Sequence, residues 1–164
     1  MEIVNKADSS VGYSGAVSVT LSTKGHKKPL VLKNSGTSHL FDVISRALAG
    51  YSIKGLTPRF IDIQRPVVVG AYESVLIAPV PVTGIVYGIA AHSDDGNGHL
   101  LMNATITFQD KQPLLNTTED LRLVLLDSEQ HPLAIITEVK SLWDSITEST
   151  DAYIEWSLTF KNEI

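Results

Sequence analysis

The sequence predicts a mainly β protein, an antiparallel β-sandwich of about nine strands with one short α-helix near residues 38–49. Several segments alternate apolar and polar residues with a period of two, which is typical of strands with one buried face. Turn-forming residues recur about every ten positions, a spacing that is common in sandwiches and barrels. Only one segment shows helical spacing, so strands that alternate with helices in a parallel sheet are not expected.

The first strand pair is predicted over about residues 16–34. Val17, Val19 and Leu21 alternate with polar neighbours, and a second apolar run follows at residues 30–32. The polar segment between these runs contains a glycine, so the two runs are expected to form a hairpin.

The helix is predicted from a cap, an apolar face and a stop. Thr37 or Ser38 can accept a hydrogen bond from a free backbone N–H in the first turn. Gly50 is suited to end the helix, because glycine adopts the left-handed conformation at little cost. The expected apolar face consists of residues at helical spacing: Leu40, Phe41, Ile44, Ala47 and Leu48.

The other strands follow the helix in the sequence. They are expected at residues 59–64, 73–78, 82–91, 100–109, 121–126, 133–139 and 153–160. Residues 127–132 are expected to form the turn of a hairpin. In the last strand Trp156 alternates with polar neighbours, so its indole is expected to pack in the core.

Length and composition suit a single globular domain. The chain has 164 residues, of which 43% are hydrophobic and 19% are charged. Residues 1–15 are rich in Ser, Gly and Asp, and we expect them to be a flexible or partner-bound N-terminal arm. Residues 16–164 are then expected to form one β-sandwich domain.

Charge and hydropathy exclude several classes of partner. The net charge is −5 and there is no basic stripe, so nucleic acid is not an expected partner. The chain has no cysteine, which excludes disulfides and thiolate metal sites. No signal peptide is recognisable at the N-terminus, and no apolar run approaches the ~20 residues of a membrane span, so no membrane association is expected.

The polar residues show no catalytic pattern. Ser38 and His39 are adjacent on the predicted helix, so their side chains diverge and do not form a triad with Asp42. Asp94, Asp95 and Asn97 are weak candidates for a calcium site, but the EF-hand glutamate is missing and a turn is expected. The five histidines also lack the spacing of metal ligands; they stand at positions 26, 39, 92, 99 and 131. We therefore expect no enzyme activity, no cofactor and no metal.

Trp143 is the candidate for a ligand or interface contact. It lies among serine and aspartate residues and is expected to be exposed, and exposed tryptophans often mark protein interfaces. An alternative function is a carbohydrate-binding module that uses Trp143 and the loop at residues 92–99, because aromatic rings stack on sugars.

Five blocks of sequence resemble a group of structural proteins from tailed bacteriophages, which includes adaptor domains of tail or head appendages. That group shares a short helix, a strand beginning with proline and a closing strand that contains tryptophan. The matching blocks here are residues 34–40, the helix end at 47–50, residues 58–63, residues 120–127 with 132–135, and residues 145–146 with 152–160. In that group the domain is a β-sandwich that docks onto a larger particle.

This resemblance implies a structural or assembly protein of a phage virion, as a component of the capsid, neck, tail or baseplate. The implied partners are other virion structural proteins and further copies of the chain in a homo-oligomer. The implied location is the virion, after assembly in the host cytoplasm. No catalytic residue is carried over from the group.

Overall fold

The computed structural model describes residues 11–21, 30–52, 57–89, 98–106, 120–137 and 152–162. Within these ranges the chain forms ten β-strands and one α-helix. The strands are β1 (Val11–Leu21), β2 (Leu30–Gly36), β3 (Pro58–Val68), β4 (Ala71–Ser74), β5 (Val80–Pro81), β6 (Gly84–Ile89), β7 (Gly98–Ile106), β8 (Arg122–Asp127), β9 (Pro132–Thr137) and β10 (Ala152–Asn162). The helix α1 spans Ser38–Leu48.

The strands form an antiparallel β-sandwich-like fold, which confirms the predicted fold class. Their order is β4-β3-β8-β9-β2-β1-β10-β7-β6, and the short β5 pairs with β3. The path bends at β2, whose residues 30–34 pair with β1 while Ser35 and Gly36 pair with β9. A strand that changes partners in this way can join two sheet layers at a corner.

Both layers contribute to one hydrophobic core. Ile61, Ile63 and Leu123 come from one side of β2 in the strand order, and Met102 and Trp156 come from the other. Full burial of such side chains contributes about 1.5–3 kcal/mol each. The predicted core position of Trp156 is confirmed, because its side chain is completely buried.

A tight contact fixes the bend at β2. The buried Asn34 side chain donates from Nδ2 to the backbone oxygen of Ser157 in β10, at 3.4 Å. It passes over Gly15, where a Cβ atom would overlap the Asn34 amide. Glycine is therefore required at position 15 for this close approach.

The helix begins and ends as predicted, but its buried face is narrower. The Thr37 side chain accepts a hydrogen bond from the Leu40 backbone N–H at 3.2 Å, and Gly50 has a φ of 87°. Leu40 and Val43 are buried. The expectation that Phe41, Ala47 and Leu48 belong to the buried face is wrong, since all three are exposed. The helix packs on β9, and its C-terminal end does not reach the core.

The β3–β4 hairpin differs from the expected strand boundaries. β3 continues to Val68, past the predicted end at residue 64, and turns at Gly70, which has a φ of 80°. The predicted strand at residues 73–78 is correspondingly shifted, because β4 ends at Ser74. The reason is register, since Gln64 pairs with Ser74 and the two strands extend together toward the turn.

The first strand begins within the segment that was expected to be an arm. Residues 11–15 belong to β1 and pair with β10, whereas residues 1–10 lie outside the described residues. Within the described ranges, no helix combines the length and the apolar character that crossing a bilayer requires.

Candidate functional site

The candidate site is a buried carboxylate that faces two imidazole rings. His39 lies in the first turn of α1, Asp127 is the last residue of β8, and His131 lies in the turn that leads to β9. One nitrogen or oxygen atom from each of the three side chains lies within 4.8 Å of the other two. We call these three residues the His-Asp-His cluster.

Backbone hydrogen bonds hold the Asp127 carboxylate in place. Its Oδ1 accepts from the backbone N–H of Glu129 at 2.9 Å and from that of His131 at 2.8 Å. The side chain is 0% exposed. Gln130, with a φ of 62°, allows the chain to reverse within this short turn. Because Oδ1 is occupied by the backbone, Oδ2 is the oxygen that faces the histidines.

The two histidines approach Oδ2 differently. His39 Nε2 lies 2.6 Å from Oδ2, and the ring is 26% exposed. His131 Nδ1 lies 3.7 Å from Oδ2 and 3.6 Å from Glu129 Oε2, and its ring is 56% exposed. The two imidazole centroids are 5.1 Å apart, with an edge-on angle of 71°. His39 is therefore hydrogen-bonded to the carboxylate, whereas His131 is more exposed and lies farther from it.

Thr37 positions the helix over this turn. Its hydroxyl donates to the backbone oxygen of Pro132 at 2.6 Å, and its backbone N–H donates to the oxygen of Leu133 at 3.0 Å. The same hydroxyl oxygen accepts from the Leu40 N–H and so caps α1. One residue thus starts the helix and fastens it to β9, which places His39 beside Asp127.

An open depression of about 370 Å³ lies in front of the cluster. Its lining residues are His39, Asp42, Arg46, Glu129, His131 and Pro132. Asp42 and Arg46 pair on the helix surface at 2.9 Å. Glu129 is the lining carboxylate that does not pair with Arg46, and the buried Asp127 lies behind the two imidazoles. Among the described residues the lining offers imidazole and carboxylate groups but no serine, threonine or cysteine side chain.

A second buried carboxylate lies on β3. Asp62 is 2% exposed; its Oδ1 accepts from the Ser74 hydroxyl at 2.6 Å, and its Oδ2 accepts from Gln64 Nε2 at 3.1 Å. Burial raises the pKa of Asp62 above its ordinary value. These hydrogen bonds, a backbone hydrogen bond at Ile63 and the charge of Arg122 act in the opposite direction on that pKa.

Arg122 extends this second network along the sheet surface. Its Nε donates to Gln64 Oε1 at 2.9 Å, and its guanidinium lies 3.4 Å from the centre of the Tyr72 ring. Partial burial lowers the pKa of Arg122 from its ordinary value. Since both oxygens of Asp62 are bonded to neighbouring side chains, the network ties β3, β4 and β8 together.

The structure places few of the candidate residues that were singled out from sequence. Asp94, Asp95, Asn97 and Trp143 lie outside the described residues, as do His26 and His92. His99 is part of β7. The set of Ser38, His39 and Asp42 does not come together, because His39 turns to Asp127 and Asp42 pairs with Arg46.

Sequence reasoning missed the His-Asp-His cluster because its members are far apart along the chain. His39 and Asp127 are separated by 88 positions. The local signal was an aspartate and a histidine four positions apart in a predicted turn, which falls outside the usual metal-binding motifs. Knowledge that β2 pairs with β9 was needed to bring the start of α1 to that turn.

Comparisons with protein-family models, with curated proteins and with solved structures gave no match.

Proposed function

We propose that this chain is a structural protein of a bacteriophage virion that acts through contacts with other virion proteins and with copies of itself. Two things support the proposal. One is the resemblance of its sequence blocks to phage structural proteins, whose docking domain is a β-sandwich. The other is an exposed apolar hairpin that is suited to contact a neighbouring protein. The proposal assigns no catalytic step to the chain.

The β3–β4 hairpin exposes apolar residues that support a role in assembly. Val67, Val68 and Val69 are consecutive and exposed, and the relative exposure of Val69 is 104%. Turns are ordinarily rich in Gly, Pro, Asn, Asp and Ser, because these residues supply the backbone conformations or local hydrogen bonds that a turn needs. A run of exposed apolar residues is expected at positions that a partner covers. Tyr72, on the returning strand, adds a half-exposed aromatic ring of the kind enriched at interfaces.

The edges of the sheet offer a second mode of contact. β4 and β6 stand at the two ends of the strand order in the described part of the chain. An edge strand has backbone groups available to pair with a strand of another protein. In a symmetric particle, many modest contacts of this kind add up through multivalency.

The alternative function, a carbohydrate-binding module, rests on Trp143 and the loop at residues 92–99. Those residues lie outside the described part of the chain, so no observation of the structure favours it. Binding of the full chain to a glycan array, abolished by Trp143→Ala, is the result that would replace the assembly proposal with this one.

The proposal is tested with virions from cells that carry the gene. Antibodies raised against the purified chain are expected to label one position on the particle in electron micrographs, and mass spectrometry is expected to find the chain in purified particles. Particles that lack the chain, together with a purified protein that remains monomeric at high concentration, would contradict the proposal.

A variant pair tests the role of the hairpin. Val69→Lys places a charge at the exposed tip and is expected to reduce incorporation into particles without changing the stability of the purified chain by more than about 0.5 kcal/mol. Leu48→Lys is the matched control, because Leu48 is also exposed and apolar but lies at the end of α1. Equal incorporation of both variants and the wild type would show that the hairpin is not a contact surface.

A further inference from the structure

We propose that His39, Asp127 and His131 form a binding site for one divalent transition-metal ion of the zinc class. The three side chains come from the first turn of α1, the end of β8 and the turn before β9, yet their ligand atoms converge within 4.8 Å. Two imidazoles and one carboxylate form a ligand set that zinc and neighbouring divalent metals use in proteins. The inference is independent of the proposed virion role.

The distances are close to those a metal needs. Zinc lies about 2.0–2.2 Å from nitrogen and oxygen ligands, so two ligands of a tetrahedral ion are separated by about 3.3 Å. The distance from His39 Nε2 to Asp127 Oδ2 is shorter, 2.6 Å, and that from His131 Nδ1 to the same oxygen is longer, 3.7 Å. A metal ion would take the place of the proton between His39 and Asp127. The distance between those two atoms would increase by less than about 1 Å, and the His131 ring would move toward the ion.

The carboxylate is already oriented as a ligand. The backbone N–H groups of Glu129 and His131 hold Oδ1, and the fully buried side chain presents Oδ2 to both rings. Metal sites commonly use such outer hydrogen bonds to fix a ligand before the ion binds. A buried carboxylate needs hydrogen bonds, a paired charge or a metal ion, and two histidine rings are the groups at ion-pair distance from Asp127 in the described part of the chain.

The donor set and the surrounding charge select the ion. Imidazole nitrogen is a poor ligand for Mg²⁺ and Ca²⁺, which bind oxygen, so the cluster favours zinc, cobalt, nickel or copper over those ions. The carboxylates of Glu129 and Asp42 on the rim add negative charge. Glu129 Oε2, 3.6 Å from His131 Nδ1, is close enough to serve as a fourth ligand, and water from the depression is the other source. The bound ion would fasten the start of α1 to the β8–β9 turn.

Calorimetric titration of the metal-stripped full chain with Zn²⁺ at about pH 7.5, where free imidazole is uncharged, tests the site. We expect one ion per chain and about tenfold or greater loss of affinity in His131→Ala. His131 is the variant of choice because its ring is half-exposed and its backbone bonds to Asp127 remain. Glu73→Ala is the control, since it also removes a possible metal ligand but lies in β4, outside the cluster, and its affinity is expected to equal that of the wild type.

A spectroscopic measurement identifies the ligands. Co²⁺ added to the wild-type chain is expected to give the intense visible absorption of a four-coordinate ion, and this absorption is expected to be lost in both His131→Ala and His39→Ala. Circular dichroism of the two variants confirms that they are folded. Absence of zinc binding by the wild type, or zinc binding that His131→Ala leaves unchanged, would overturn the metal site. Neither result bears on incorporation of the chain into virions, so this inference and the proposed function can fail separately.

Discussion

Two buried aspartates in paired strands of this protein are stabilised in different ways. Asp62 on β3 accepts hydrogen bonds from the side chains of Ser74 and Gln64. One oxygen of Asp127, at the end of β8, accepts hydrogen bonds from two backbone N–H groups, and the other oxygen faces two histidine rings. Both side chains are almost completely inaccessible to solvent. An isolated buried carboxylate would be costly, so each arrangement is a solution to the same physical problem.

The difference shows where chemistry can occur. At Asp62 both oxygens bond to uncharged side chains within the sheet, and burial still raises the pKa. At Asp127 one oxygen is directed at two imidazoles that border an open depression, so this carboxylate faces groups that solvent can reach. Asp62 therefore serves the packing of three strands, whereas Asp127 serves a turn and a site at once.

The largest effect is expected for Asp127→Ala. The substitution removes the acceptor of two backbone N–H groups in the β8–β9 turn and the partner of His39. We expect a loss of about 3 kcal/mol in the free energy of unfolding, measured by urea denaturation.

Asp42→Ala is the control for that measurement. Asp42 pairs with Arg46 one turn along the exposed surface of α1, and such pairs contribute about 0.3–0.5 kcal/mol. If Asp127→Ala lowers the free energy of unfolding by no more than Asp42→Ala does, the buried Asp127 carboxylate does not stabilise the turn more than an exposed carboxylate stabilises the helix.

A smaller effect is expected for Ser74→Ala. The Ser74 hydroxyl donates to Asp62 and its oxygen accepts from the Leu76 backbone N–H at 3.1 Å, so both bonds are lost. We expect a loss of about 2 kcal/mol at neutral pH, because hydrogen bonds to a charged group are stronger than neutral ones. Restoration of most of this stability in Ser74→Thr, which keeps the hydroxyl, would support the hydrogen-bond explanation. A Thr variant as unstable as the Ala variant would point to packing instead.

The raised pKa of Asp62 makes a prediction about how the stability of the protein depends on pH. Its pKa is raised in the folded chain above the value of 3.8 that applies to the exposed group. The folded state therefore binds this proton more tightly than the unfolded state does, and the resulting stability is present below pH 3.8 and is lost as the pH rises through the folded-state pKa. Asp62→Asn cannot titrate, so the free energy of unfolding of the wild type minus that of the variant should fall over this window. Urea denaturation at a series of pH values measures it, and a constant difference would show that the pKa of Asp62 is not raised.

Local physics accounts for the part of the fold that the sequence predicted. Thr37 and Gly50 mark the helix ends because capping and left-handed backbone depend on single residue types. The alternation around Trp156 reveals a strand with one buried face, because successive side chains of a strand point to opposite sides of the sheet. The extension of β3 to Val68 was not predictable, because its apolar residues continue into an exposed turn and only strand pairing shows where the hairpin closes.

The candidate site was predictable only in fragments. A turn with Asp127 and His131 and a helix start at His39 were both recognised, but their meeting depends on Thr37 bonding to the backbone of residues in β9. The spacing of residues along the sequence does not predict that contact. Asp62 was not singled out from the sequence, because only the folded structure shows that this carboxylate is buried beside Ser74 and Gln64.

The smallest effect is expected for His131→Ala in the absence of metal. The ring is more than half-exposed and 3.7 Å from Oδ2, and the backbone N–H of residue 131 still bonds to Asp127 after the substitution. The free energy of unfolding should change by no more than about 0.5 kcal/mol, since surface substitutions away from special features usually have effects of that size. Urea denaturation with a chelator present, beside the same measurement on Asp127→Ala, gives the comparison. A loss near 2 kcal/mol would mean that His131 supports the fold as Ser74 does. The expected small loss would show that the fold does not require this imidazole, so the loss of zinc affinity in His131→Ala could not be attributed to unfolding.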